Sequence, residues 1–326
     1  MSNLAVIYTG QVRTILSTLA NTKEKFENQE ADFFCVLQCD NETQKEMYER
    51  EIRKALSNRI KYFMWFNQQD SDYINIREKC LSNMETGDNW KNYLRNSGSI
   101  IEYYQMHLAH KEICKYEKQI REGKNYEYIM RLRCDLIIKD DICFNTNYFT
   151  KEYIKVCMKQ IMDQRGCNEI NQDIIEKVIN DYMIPNRSKY NITDIFNRIP
   201  SEFSKRINSN LSEEEIIEKI HEYIHNHPHL IGFRINVFYF GKRDLFHVLQ
   251  RLGTNYGEYK FEEEPIYWFN AESQLLKICT ENKIDFYSSC SLLEINSLYK
   301  YNENNYYTNK QQIKEDEEFS WFIKRN

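Results

Sequence analysis

An α/β fold, with a mostly parallel central sheet flanked by helices and a helical insert, is predicted by three observations. Short apolar runs alternate with segments of helical spacing from residue 4 to residue 138. The alternation stops over residues 146–228, which read mainly as helices with polar connections, and apolar strands then return. Gly (9) and Pro (4) are scarce for 326 residues, so long irregular connections should be few. Hydrophobic residues make up 41% and charged residues 29%, which supports a substantial core and argues against wholesale disorder.

The elements follow in order. "NLAVIYTG" is an apolar run ending in Gly10, a buried strand by composition. "RTILSTLANTKEKFENQ" has helical spacing, and "ADFFCVLQCD" is a second strand. "ETQKEMYEREIRKALSN" reads as a helix and "IKYFMWF" as a third strand. "GSIIEYYQMHLAHKEICKYEKQIREG" is a long amphipathic helix that stops near Gly123. "YEYIMRLRCDLII" reads as one continuous fourth strand, and "LIGFRINVFYFG" as one long strand ending at Gly241. "KRDLFHVLQRLG" and "AESQLLKICTENK" are helices, and "IDFYSS" is a late strand. The tail from residue 301 is polar until Trp321 and Phe322, which are expected to dock it back on the body.

Bulk properties exclude several classes. A net charge of −5 without a basic stripe leaves no footprint for nucleic acid. The N-terminal apolar run is too short for a secretory signal, and no 18-residue apolar stretch predicts a membrane span. The ten cysteines are scattered and none forms CxxC, so reduced thiols in a cytoplasmic setting are expected.

One literal motif is "HEYIH", His221 to His225, which matches the HExxH of zinc proteases. On "SEEEIIEKIHEYIH" the apolar stripe is formed by Ile216, Ile217, Ile220, Tyr223 and Ile224. His221 falls at its border and Glu222 almost opposite its centre, so the motif reads as the wet side of a surface helix, with the zinc peptidase as the competing reading.

The more informative stretch is "YIMRLRCDLII". Alternation along a strand puts Arg131, Arg133 and Asp135 on one face. Two arginines in an apolar strand are costly to bury without anions. Ligands bind at the carboxyl ends of strands in open α/β sheets. Such a row suits a diphosphate, with Asp135 suited to a bridging divalent cation. An internal salt bridge, Asp135 neutralising Arg133, is the alternative. Upstream, "IYTGQVRT" places Gly10, Gln11 and Arg13 just past the first strand. There a glycine lets backbone approach a ligand and Arg13 can meet phosphate; an ordinary strand-to-helix turn is the other reading.

In their order, "AVIYTGQVRT", "ADFFCVLQCD", "SIIEYYQMHLAHKEI", "YEYIMRLRCDLII", "GFRINVFYFGKRDLFHVL" and "AESQLLKICTENKI" resemble a group of GT-A-type glycosyltransferases. The group includes WavE-like lipopolysaccharide-synthesis proteins and relatives from bacteria and large DNA viruses. The resemblance covers about residues 4–290, with 150–228 matching poorly. It implies a GT-A-like hexosyltransferase-type enzyme moving a sugar from a nucleotide-sugar donor to a hydroxyl acceptor such as a glycan. A non-catalytic nucleotide- or carbohydrate-binding descendant is the alternative. The implied organisation is a nucleotide-sugar-binding half (1–145), the helical insert (146–228), an acceptor-side half (229–300) and the polar tail (301–326).

Such enzymes hold Mn or Mg on a DxD motif. The triplet here is Arg133-Cys134-Asp135, with arginine in place of the first acid, so the resemblance implies either that Asp135 still binds the metal or that Arg133 replaces part of its charge. Gly10, Gln11, Arg13, Arg131 and Arg133 would line the donor site, with Asp40 near base or ribose. Glu272 in "AESQ" is the candidate acceptor contact or general base; a helix-start glutamate that favours the dipole is its alternative. Asn236-Val237 stands where relatives show an Asn-Asp pair.

Overall fold

The computed structural model describes residues 2–138, 151–171, 174, 211–226, 229–233, 238–258, 271–288 and 321–323. The elements are β1 (Leu4–Gln11), α1 (Ile15–Lys25), β2 (Ala31–Gln38), α2 (Lys45–Leu56), β3 (Ile60–Phe66), α3 (Ser71–Asn83), α4 (Asp88–Asn96), α5 (Gly98–Gln119), β4 (Tyr128–Arg133) and β5 (Leu136–Ile138). They continue with α6 (Lys151–Arg165), α7 (Glu213–Asn226), β6 (His229–Phe233), β7 (Phe238–Lys242), α8 (Arg243–Leu249), α9 (Ala271–Glu281), β8 (Asp285–Ser288) and β9 (Trp321–Ile323).

Seven strands form one sheet in the order β3-β2-β1-β4-β7-β6-β8. The pairs β1–β2, β2–β3, β1–β4 and β6–β8 are parallel, and β7 runs against both of its neighbours. The chain winds outward through β1, β2 and β3, then crosses back to place β4 on the other side of β1. The first strand is therefore the point where the winding reverses.

Period-two alternation divides the core between the two faces. Leu4, Val6 and Tyr8 of β1 join Met130 and Leu132 of β4 in one apolar cluster, with Ile15 and Leu19 of α1 and Ile52 of α2. Ile154, Met158 and Ile161 of α6 and Ile216, Ile217 and Ile220 of α7 belong to the same cluster, so both helices pack on this face. Ala5, Ile7 and Ile129 join the opposite cluster, with Tyr103, Met106 and Ile113 of α5, Phe246 of α8 and Leu275 of α9. On this face α5 runs back against the strands. Glu117, near its end, accepts from the Tyr126 N–H just before β4 (2.9 Å).

Three expectations need correction. The run over residues 230–241 is a hairpin: β6 pairs antiparallel with β7, Leu230 opposite Gly241 and Phe233 opposite Phe238. Both arms are apolar, so periodicity cannot reveal the reversal between them. The run over 128–138 is also two strands. β4 ends at Arg133, Cys134 and Asp135 form a turn, and β5 leaves the main sheet to pair with β9, Ile138 opposite Trp321. Trp321 and Phe322 thus dock the tail, as expected, through backbone pairing. Finally, α3 and α4 lie in a stretch for which no elements were expected. Asp70, which accepts from the Asp72 N–H at 2.8 Å, is the N-cap signal that marks the first of them.

A reciprocal cap starts α7. Ser212 accepts from the Glu215 N–H (3.3 Å), while Glu215 accepts from the Ser212 N–H (2.8 Å). Ile216, Ile217 and Ile220 are buried, Glu222 is exposed and His221 lies at the border. The side chain of His225 and the pair Asn236-Val237 lie outside the described residues.

Candidate functional site at the carboxyl edge of the sheet

The reversal at β1 leaves the carboxyl ends of β1 and β4 side by side, Thr9 in register with Arg133. Beyond them the Cys134 N–H donates to the Thr9 carbonyl (2.8 Å) and the Cys134 thiol to the Gln11 carbonyl (3.3 Å). Gly10 is enclosed in this seam. Its φ is +120°, and a Cβ there would stand 3.2 Å from Cys134 Sγ. Glycine is thus required by its backbone angle and by a neighbouring turn. On the α1 side, Thr18 donates to the Cys134 carbonyl (2.6 Å). The Asn21 amide exchanges two bonds with the backbone of Ile138, 2.9 Å and 2.8 Å, in the manner of a neighbouring strand.

This framework presents Asp135. Its side chain is only 3% exposed, and both oxygens accept from Arg133, Oδ1 from Nε at 2.9 Å and Oδ2 from Nη2 at 2.7 Å. Arg13, half-exposed, places Nη2 3.8 Å from the same Oδ2. Burial works against the charge on Arg133, but the attraction of Asp135, its hydrogen bonds and more distant Glu102 outweigh it and hold the guanidinium above its usual range. The two bonds occupy Nε and Nη2, so Nη1 lies on the remaining edge of the fork.

Gln11 and Gln38 are register partners at the ends of β1 and β2. Both amides donate to Asp40, Gln38 Nε2 at 3.1 Å from Oδ1 and Gln11 to Oδ2. The carboxyl edge thus carries two adjoining groups: the guanidiniums of Arg13 and Arg133 on Asp135, and the acceptor Asp40 held by two glutamines.

Arg131 does not belong to this edge, contrary to expectation. It lies deeper in β4, in register with Ile7 and Tyr239, and is buried under α5, where Nη2 meets Glu102 Oε1 at 2.7 Å. Alternation correctly puts it on the same face as Arg133. The helix that covers that face supplies its anion, so no ligand is needed to offset its burial.

The expected cation fares poorly against the donors present. Asp135 is one carboxylate with both oxygens committed to Arg133 and a second guanidinium nearby, and the first acid of the implied motif is that same arginine. Magnesium or manganese demands several oxygen ligands. These residues do not fit one.

Glu272 stands in the first turn of α9, its side chain outside the described residues. The neighbouring Ala271 carbonyl accepts from Tyr103 (2.7 Å), next in α5 to Glu102. The start of α9 is thereby tied to the end of α5 that faces the carboxyl edge. No family model matches the chain, and no curated protein and no solved structure matches it.

Proposed function

We propose that the chain is a GT-A-like glycosyltransferase that moves a sugar from a nucleotide-sugar donor to a hydroxyl acceptor. The observation that carries this reading is the gathering of Gln11, Arg13, Asp40, Arg133 and Asp135 where the winding reverses, the place at which open α/β sheets bind ligands.

Arg13 and Arg133 would receive the donor's diphosphate. Planar guanidiniums suit phosphate oxygens, and fixed cations stabilise the charge that develops on a leaving diphosphate without reorganising. Asp135 is then a positioning residue: its two bonds lock the Arg133 fork, which makes the site an arginine-based counterpart of a metal-bearing one. Asp40, oriented by Gln11 and Gln38, would accept from ribose hydroxyls or a base N–H. Glu272, on a helix anchored at the same end of α5, is the candidate for the acceptor side, as a contact or as general base if the reaction inverts.

The commitment of both Asp135 oxygens to Arg133 also favours a second reading, a nucleotide- or carbohydrate-binding protein that does not turn over. A thermal-shift screen of UDP, GDP, CMP and their sugars, with manganese or with EDTA, decides between them when paired with an assay for released nucleotide. A ligand selective for the folded state must raise the midpoint. Glycosyl transfer predicts a shift by a nucleotide diphosphate that EDTA leaves intact, together with nucleotide release from its sugar. A shift without release selects the binding protein, and no shift by any nucleotide overturns both.

A further inference from the structure

We propose that His110, Cys114 and His247 form a zinc site that clamps α8 to α5. One donor atom from each of the three residues lies within 4.8 Å of those from the other two.

Two elements far apart in sequence build this cluster. His110 and Cys114 are one turn apart on α5 and therefore share a face; His110 is buried and Cys114 partly so. His247 arrives on α8, which is bolted down at its start. The Arg243 N–H donates to the Glu127 carbonyl (3.0 Å), and Arg243 Nη2 donates to Glu117 Oε2 on α5 (2.8 Å). One turn later His247 lies against His110, with ring centroids 5.3 Å apart and planes tilted by 58°. Cys114 Sγ stands 3.9 Å from His110 Nδ1.

The chemistry of the set selects the ion. Two imidazoles and a thiol, with no carboxylate, suit zinc and disfavour magnesium, calcium and manganese. Zn–N bonds of about 2.0–2.1 Å and a Zn–S bond of about 2.3 Å place tetrahedral donors roughly 3.3–3.6 Å apart, so a small closure of the present geometry completes three corners. His247 is exposed, which leaves the fourth corner to water. On binding, Cys114 gives its thiol proton to solvent and enters as thiolate. Burial holds the free thiol above its usual range, and Arg243, whose Nη2 donates to the sulfur at 3.5 Å, offsets part of that, so the ion itself must draw off the proton. Ordinary packing of two rings beside a cysteine is the competing account. It predicts no metal.

The ion itself tests this. The full chain is stripped with chelator, zinc is titrated in competition with a chromophoric chelator, and cobalt(II) is used as a spectroscopic stand-in. Wild type should take up one zinc per chain, and cobalt should give a thiolate charge-transfer band that Cys114→Ser abolishes. His247→Ala, a change at an exposed position checked for folding by circular dichroism, should weaken zinc by ~100-fold or more, because it removes a direct ligand. It should also abolish the zinc-induced rise in melting midpoint. His221→Ala with His225→Ala should change neither. The site is overturned if wild type binds zinc no more tightly than roughly 10 μM, where structural sites bind far more strongly. It is equally overturned if binding survives His247→Ala and disappears with the His221 and His225 pair. Neither result depends on whether the carboxyl edge binds nucleotide.

Discussion

Arg131 and Arg133 occupy the same face of the same strand, two residues apart, yet they meet different surroundings. Arg131 is sealed under α5 against Glu102, whereas Arg133 is the last residue of β4, paired with β1 but beyond the reach of β7, with 23% of its side chain exposed. Each has a carboxylate partner. What separates them is depth: the first partner comes from a covering helix and closes the site, while the second comes from the turn that follows and leaves Nη1 without a bond among the described residues. A buried arginine is therefore evidence for a ligand only when no nearby element can supply its anion.

The largest effect expected from breaking this contrast lies in the interior. Glu102→Ala leaves the Arg131 charge buried without its carboxylate and should cost about 3–5 kcal/mol in urea unfolding, whereas replacing the pair together, Glu102→Leu with Arg131→Met, should recover most of that loss. An equal loss in the double variant would mean that the pair does more than neutralise itself. At the edge, Arg133→Lys keeps a cation beside Asp135 but loses the fork. Calorimetry should show nucleotide diphosphate binding weakened by about 1.5–3 kcal/mol, with the matching nucleoside little changed. Equal losses for both ligands would remove the phosphate role.

A smaller effect is expected at the seam. Gly10→Ala forces a side chain into a positive-φ position beside Cys134 Sγ and should lower stability by roughly 1–2 kcal/mol, measured as a shift in urea midpoint. A neutral result would show that the seam relaxes freely. The smallest belongs to α7. His221→Ala with His225→Ala should change stability by less than about 0.5 kcal/mol and leave any transfer activity within a few-fold, since Glu222 is exposed and His221 borders the apolar stripe. Loss of activity together with loss of bound zinc would restore the peptidase reading of the motif.

Local patterns made much of the first half legible. β1 to β3 and α5 announce themselves by apolar runs and helical spacing, and Gly123, with φ +82°, stands where the end of α5 was expected. Pairing that depends on distant chain was harder to read. Nothing in an apolar run marks the reversal between β6 and β7, and nothing local in "RCDLII" says that its last residues pair with β9. The edge residues Gln11, Arg13, Arg133 and Asp135 could be nominated from strand ends, whereas Asp40 came from the family resemblance. The split between Arg131 and Arg133 could not, because alternation gives the face and not the depth. The histidine and cysteine cluster was hidden for a further reason: His110 and Cys114 have the one-turn spacing of a ligand pair, but a pair alone is no site, and only α8 brings the third member, His247, across.

The pairing of β5 with β9 bears on how the edge is assembled over time. The three residues that follow the Asp135 turn take their strand partner from the most distant described segment of the chain. Closing so long a loop is entropically slow, and contacts of high sequence separation tend to form after local ones. During synthesis, β1, β4 and α1 emerge and can dock long before β9 leaves the ribosome. Asn21, bonded in both directions to the Ile138 backbone while β9 is paired as well, covers the other edge of β5 and can fix the strand before β9 is made. The same amide blunts a strand that would otherwise offer unpaired backbone to neighbouring chains.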